Sequence, residues 1–249
     1  MRAWLTISAL LTLVGCVTTE PLVNEEQNYL NAGNYAGLIE KSKRELTASP
    51  GDPAIMNKLA GYYYEIDDLE SASFYADQLL NSEDQHASLW FLRAKIAAKQ
   101  ERYPAAIQTA QQAKTMGYQA ADADVLLGMA YSLTEQYPAA REAFNQARLK
   151  GYDEKVVKNN LALTYLLEGD YVNAYQRFER LHREYPAEDK IKVNLAMTYL
   201  KLGQHDEAHH LLGTTLYVTD EKPVNATEPT AELIVDSSDD KEEGINENQ

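Results

Sequence analysis

Ala72, Ala106, Ala140, Ala174 and Ala208 stand 34 residues apart without an insertion or deletion, and Leu38 holds the preceding position of the same phase. A fixed period of this length means one supersecondary unit stacked on copies of itself, because no single unit can bury its apolar face alone. Other phases keep the same step. Twelve residues earlier stand Ala60, Ala94, Gly128, Ala162 and Ala196, all small. Three residues before the alanine stand Tyr35, Leu69, Tyr103, Tyr137, Tyr171 and His205. Large residues recur at Leu59, Leu127, Leu161 and Leu195, and at Tyr29, Tyr63, Tyr131, Tyr165 and Tyr199.

Two small positions twelve residues apart fit two antiparallel helices, A and B, that approach closely only where each shows the other a small side chain. Turn chemistry agrees. Gly33-Asn34, Gly169-Asp170 and Gly203-Gln204 fall between A and B. Pro104 and Pro138 fall in the first turn of B, where a missing N–H is harmless. Pro50 and Pro186 fall where B should stop. This 34-residue signature resembles the tetratricopeptide repeat over roughly residues 20–217. The resemblance implies an all-α, right-handed superhelical solenoid of about six hairpins, near 22–52, 53–86, 87–120, 121–154, 155–188 and 189–217. The first hairpin is atypical, with Glu26 and Glu45 at positions that are small or apolar elsewhere, which suits an end repeat.

The segments flanking the repeats read differently. Met1-Arg2 is followed by an apolar run from Ala3 to Val14, too short to span a bilayer as a helix and right for a secretory leader. It ends in Leu13-Val14-Gly15-Cys16, and Cys16 is the only cysteine. This resembles the lipobox of bacterial lipoproteins, which implies removal of residues 1–15, a diacylglycerol thioether on Cys16 and acylation of its new amino group. Three acyl chains exceed what stable anchoring needs. Val17 rather than Asp after the cysteine implies sorting to the outer membrane of a Gram-negative cell, on the periplasmic side. Six residues, Val17 to Leu22, then separate lipid from helix, a reach of about 20 Å. At the other end, residues 218–249 lack helical period and are rich in Asp, Glu, Pro, Ser and Asn, which reads as a disordered acidic tail. From Asp220 onward ten Asp/Glu face two Lys, so this tail holds more than half of the net charge of −15. Its one apolar island, Ala231 to Val235, could fold back on the end of the array or into its groove.

Chemistry is sparse. The acid excess excludes nucleic acid as a partner. There is no Gly-rich phosphate loop and no nucleophile elbow, so no catalytic residue, cofactor or small-molecule substrate is expected. His205 and His209 share a helix face, but Asp206 stands where the zinc-protease pattern needs Glu, and no metal is expected. What remains is surface. The repeat resemblance implies that A helices line a concave groove, to which the register assigns Asn57, Gly61, Tyr64 and Glu65; Phe91, Lys95 and Lys99; Val125, Met129 and Leu133; Asn159, Leu163 and Leu167; Val193, Met197 and Lys201. A Met/Leu stripe is a dock for an apolar peptide segment, and Asn159 is placed to bind its backbone. The phases that carry the family's carboxylate clamp hold Ala54, Asn57, Lys58 and Leu92, so capture of an acidic C-terminus is not expected.

A lipobox, a short spacer and uninterrupted repeats resemble the tight-adherence (Flp) pilus assembly lipoproteins of the TadD class, with the type IV pilus pilotins similar. That resemblance implies a non-enzymatic scaffold that binds a pilus secretin or another assembly component. A second reading is an adaptor for peptidoglycan hydrolases or outer-membrane biogenesis.

Overall fold

The computed structural model describes residues 25–82 and 85–213. They form twelve α-helices and, among these residues, no strand: α1 Glu25–Asn31, α2 Tyr35–Ala48, α3 Pro53–Glu65, α4 Leu69–Leu80, α5 Ala87–Lys99, α6 Tyr103–Thr115, α7 Ala121–Leu133, α8 Tyr137–Leu149, α9 Glu154–Glu168, α10 Tyr171–Glu184, α11 Asp189–Lys201 and α12 His205–Leu212. The leader, Cys16 and the acidic tail lie outside the described residues, as do residues 214–217 of the last hairpin.

Local signals place the helix starts. Asn34, Asp68 and Asp170 cap the B helices α2, α4 and α10 through side-chain acceptors for the N–H groups of Gly37, Ser71 and Asn173. Helices α6 and α8 have no side-chain cap and begin with Tyr-Pro instead. Every A-to-B turn contains one left-handed residue, again 34 apart: Gly33, Asp67, Glu101, Glu135, Gly169 and Gly203. Glycine at three of these turns was legible as a turn residue. The other three carry acids at φ 58–60°, where a side chain is strained by about 1 kcal/mol.

Successive helices pack as antiparallel hairpins, and the stack is tighter on one side. Each A helix from α3 on meets the next A helix, in the pairs α3/α5, α5/α7, α7/α9 and α9/α11, whereas no described B helix approaches the next B helix. The array therefore curves with its A helices inside and leaves open grooves between the B helices outside. This is the all-α solenoid that the periodicity implies.

The small-residue register makes the hairpins possible. Ala60, Ala94, Ala162 and Ala196 are buried at the A–B crossings, as are Ala72, Ala106, Ala140, Ala174 and Ala208 opposite them. Gly128 is the tightest case. A Cβ built there would lie 2.6–2.7 Å from the ring of Phe144, which is itself fully buried. At the first hairpin the small position is Glu26. Its carboxylate is held by Lys58 (2.8 Å) and the Tyr62 hydroxyl (2.9 Å), with Lys41 at 3.6 Å.

Candidate protein-binding face

The inner face is made by A helices, and it divides the groove residues named by register into two sets. Leu133 and Leu167 are exposed, and Met129, Val193, Met197, Asn57, Tyr64 and Lys95 are partly exposed. Phe91, Val125, Asn159 and Leu163 are buried, and Asn159 and Leu163 have no accessible surface. Those four are corrections. Where one A helix lies against the next, side chains at these registers fall between the helices rather than in front of them. Val125 joins a core cluster with Phe144 and Val157, and Leu163 joins one with Ile191 and Leu195. Phe91 stacks on Tyr118 at 4.4 Å.

Asn159 does not reach toward a ligand backbone. Its side-chain N–H donates to the Asn160 carbonyl oxygen of the side chain (3.3 Å), and its own oxygen accepts from Asn194 (3.1 Å). One layer away the Ser132 and Thr164 hydroxyls lie 2.9 Å apart, each also within reach of a carbonyl of its own helix. A buried polar ladder thus runs across α7, α9 and α11. It fixes the register of the A helices, since any slip would strand these groups without partners.

What stays accessible changes along the array. At α3 and α5 the surface is cationic and aromatic: the Lys99 ammonium sits 4.2 Å from the Tyr64 ring and 2.6 Å from Asp67, and Lys95 lies 4.9 Å from the same ring. From α7 to α11 it is mostly apolar, with Met129, Leu133, Leu167, Val193 and Met197, and it ends on the exposed Lys201, which holds the Leu133 and Leu167 phase in the last hairpin. Such a strip can hold an apolar segment but offers no acid–base pair. Among the described residues no three His, Cys, Asp or Glu are placed to hold a metal ion, and no helix is long and apolar enough to cross a membrane.

The outer face holds a group that sequence reasoning missed. Asp124, on α7, is 1% exposed and bridges two B helices: it pairs with Lys114 at the end of α6 and, at 2.6 Å, with Lys150 just past α8. The signal was present in the register, where the equivalent residues are Met56, Trp90, Lys158 and Lys192 and a lone acid interrupts them.

Two models of the tetratricopeptide repeat match the chain, over residues 57–125 and 165–223, together just over half of it. Among solved structures, a tetratricopeptide repeat protein from Parabacteroides merdae aligns with a TM-score of 0.67 at 15% identity, covering 76% of this chain and 75% of that one. PilW, described as a widely conserved type IV pilus biogenesis factor, aligns with a TM-score of 0.65 at 13% identity, over 76% of this chain and 88% of its own. YrrB, described as having an unusual peptide-binding site, aligns with a TM-score of 0.54 at 18% identity, over 70% and 90%. At these identities the likeness is one of fold. No curated protein sequence matches.

Proposed function

Because the chain belongs to the tetratricopeptide-repeat proteins, a fold of protein-interaction scaffolds, we propose that it is a non-catalytic scaffold, lipid-anchored through Cys16 at the periplasmic face of the outer membrane, that assists assembly of a tight-adherence or type IV-like pilus. The observation that carries this reading is the accessible strip of Met129, Leu133, Leu167, Val193 and Met197 on the inner face. Leu133 and Leu167 are each 39% exposed although leucine has every reason to be buried. An apolar helix or strand of a secretin subunit would cover them. The likeness in fold to PilW supports the pilus role, and the lipobox supports the anchor.

The strip is tested with the double substitution Leu133→Asp/Leu167→Asp. Both side chains reach the surface, so helicity should be retained while affinity for the secretin falls about a hundredfold, the loss of roughly 3 kcal/mol that burying two charged groups in place of leucines implies. Unchanged affinity removes the inner face from the mechanism. Recovery of cell-wall hydrolases and no secretin would favour the adaptor reading. The anchor has its own test: Cys16→Ser should move the protein from membrane to soluble fraction, and intact mass should lose the glyceride and acyl groups.

A further inference from the structure

The open grooves between B helices are homologous along the array, each floored by the intervening A helix, and their charges can be compared position by position. In the groove between α6 and α8, of about 400 Å³, Asp124 is shared by Lys114 and Lys150 from within, and Glu142 adds a second acid to the lining. In the groove between α8 and α10, of about 450 Å³, the same three positions are Lys158, Arg148 and Glu184. The acid on the floor has become a lysine. Lys158 takes the carboxylates within reach, Glu184 at 3.1 Å and Glu154 at 3.3 Å. Arg148 and Arg180 then have no carboxylate partner among the described residues. Arg177 lies 4.5 Å from the Tyr165 ring and donates to its hydroxyl at 3.4 Å, contacts that orient the guanidinium but leave its charge uncompensated. Three arginines and a lysine against two glutamates make this groove net +2 in a chain of net −15. Uncompensated guanidinium groups that converge on a cleft are matched in geometry to carboxylates.

We propose that the groove between α8 and α10 is an anion-binding site whose occupant is the chain's own acidic segment, residues 220–249. That segment carries ten Asp/Glu and two Lys. It begins seven residues after Gly213, the residue that closes α12, and α12 packs on α11, which packs on α10. A tether of this length holds the carboxylates at millimolar effective concentration near the groove. The neighbouring groove between α10 and α12 repels it, being lined by Glu179, Asp206 and Glu207 against the single cation Arg183. The site lies on the outer face, away from the apolar strip, so a partner can be held inside while the acidic segment occupies the outside.

The full chain tests this by amide resonances of residues 220–249 in the native protein and in R148E/R180E, both substitutions being at exposed positions. The proposal requires those resonances to move on charge reversal, and the difference to vanish as salt rises from about 0.05 M to about 0.5 M. It also requires the reciprocal effect: neutralising Asp236, Asp239, Asp240, Glu242 and Glu243 to their amides must move the side-chain Nε–H signals of Arg148 and Arg180. Tail resonances indifferent to R148E/R180E at low salt overturn it. So does sedimentation with phosphatidylglycerol vesicles that depends on Arg148 and Arg180 while the tail signals stay still, which would assign the groove to a lipid headgroup.

Discussion

Hairpin α7/α8 and hairpin α9/α10 occupy the same register one repeat apart, and they solve two shared problems in opposite ways. Both put a phenylalanine of the B helix against the small position of the A helix, Phe144 against Gly128 and Phe178 against Ala162. Only in the first is there no room for a methyl group. Both have a cation at the end of the preceding B helix, Lys114 and Arg148. Only in the first does the A helix supply an acid to meet it. The difference teaches that the repeat constrains volume and register while leaving charge free, so one hairpin can meet cations with an acid of its own and its neighbour can keep cations for a ligand.

The strongest way to break that comparison is at Asp124. Asp124→Ala leaves Lys114 and Lys150 facing each other across a groove floor. Each lysine is about 30% exposed and can turn its ammonium to water, which limits the cost. A loss of about 2–3 kcal/mol is expected, less than for a fully buried pair, read as a fall in melting temperature of roughly 5–10 °C. Lys158→Ala, which removes the homologous side chain but only surface pairs, should cost at most about 1 kcal/mol. Equal losses at the two positions would show that Asp124 is not an internal counter-ion.

The second contrast is steric. Gly128→Ala should destabilise by about 2 kcal/mol, because the buried Phe144 ring has nowhere to move. This runs against helix propensity, which favours alanine by about 1 kcal/mol. In the neighbouring hairpin the sign reverses: Ala162→Gly should cost about 1–2 kcal/mol, from propensity and from the buried methyl lost beside Phe178. Denaturant midpoints of the two variants decide it, and a stabilised Gly128→Ala would mean that the two crossings are equivalent.

These contrasts also mark what the sequence could disclose. The solenoid was legible because its determinants are local and repeated: small crossings, tyrosines and turn glycines every 34 residues. The turns at Asp67, Glu101 and Glu135 were not read as left-handed because acids are not turn signals by themselves, although their phase with Gly33, Gly169 and Gly203 identifies them. The binding face was legible only in part. A helical register says which side chains share a face, but not how closely the next helix approaches. Phe91, Val125, Asn159 and Leu163 were placed in the groove for that reason and are buried between A helices, while Leu133 and Leu167 project beyond the contact. Asp124 was passed over because a carboxylate on an amphipathic helix usually faces water; its meaning depends on lysines ten residues before it and 26 residues after it, on other helices.

A substitution that makes the second groove resemble the first should sharpen the comparison at little cost in stability. Lys158→Asp puts an acid on the floor opposite Arg148, as Asp124 stands opposite Lys114, and takes the lining from net +2 to neutral. It also sets an acid near Glu154 and Glu184, so gain and loss largely offset, and the melting temperature should change by no more than about 1 kcal/mol implies. The tail resonances, by contrast, should move toward those of R148E/R180E. If they hold their native positions, the charge on the groove floor is irrelevant to what binds there.

The smallest effect is expected at Glu26, where one acid again serves two lysines, now at the exposed end of the array. Burial raises the cost of its charge, but hydrogen bonds from Lys58 and Tyr62, with the charges of Lys58 and Lys41, outweigh it and hold the carboxyl below its ordinary value of 4.5. The same pairing, after burial, pushes the Tyr62 phenol up. A depressed carboxyl stabilises the fold at all pH values above the ordinary carboxylate range, and this contribution disappears as pH falls through the lowered value. Amide exchange in α1 and α2 should therefore accelerate relative to α7 and α8 as the solution is taken below about pH 4.5. Glu26→Gln should give that faster exchange already at neutral pH and abolish this pH dependence, at a cost under about 1 kcal/mol. An unchanged pH dependence in Glu26→Gln would place the acid-sensitive group elsewhere and leave Asp124 as the array's one demonstrable internal counter-ion.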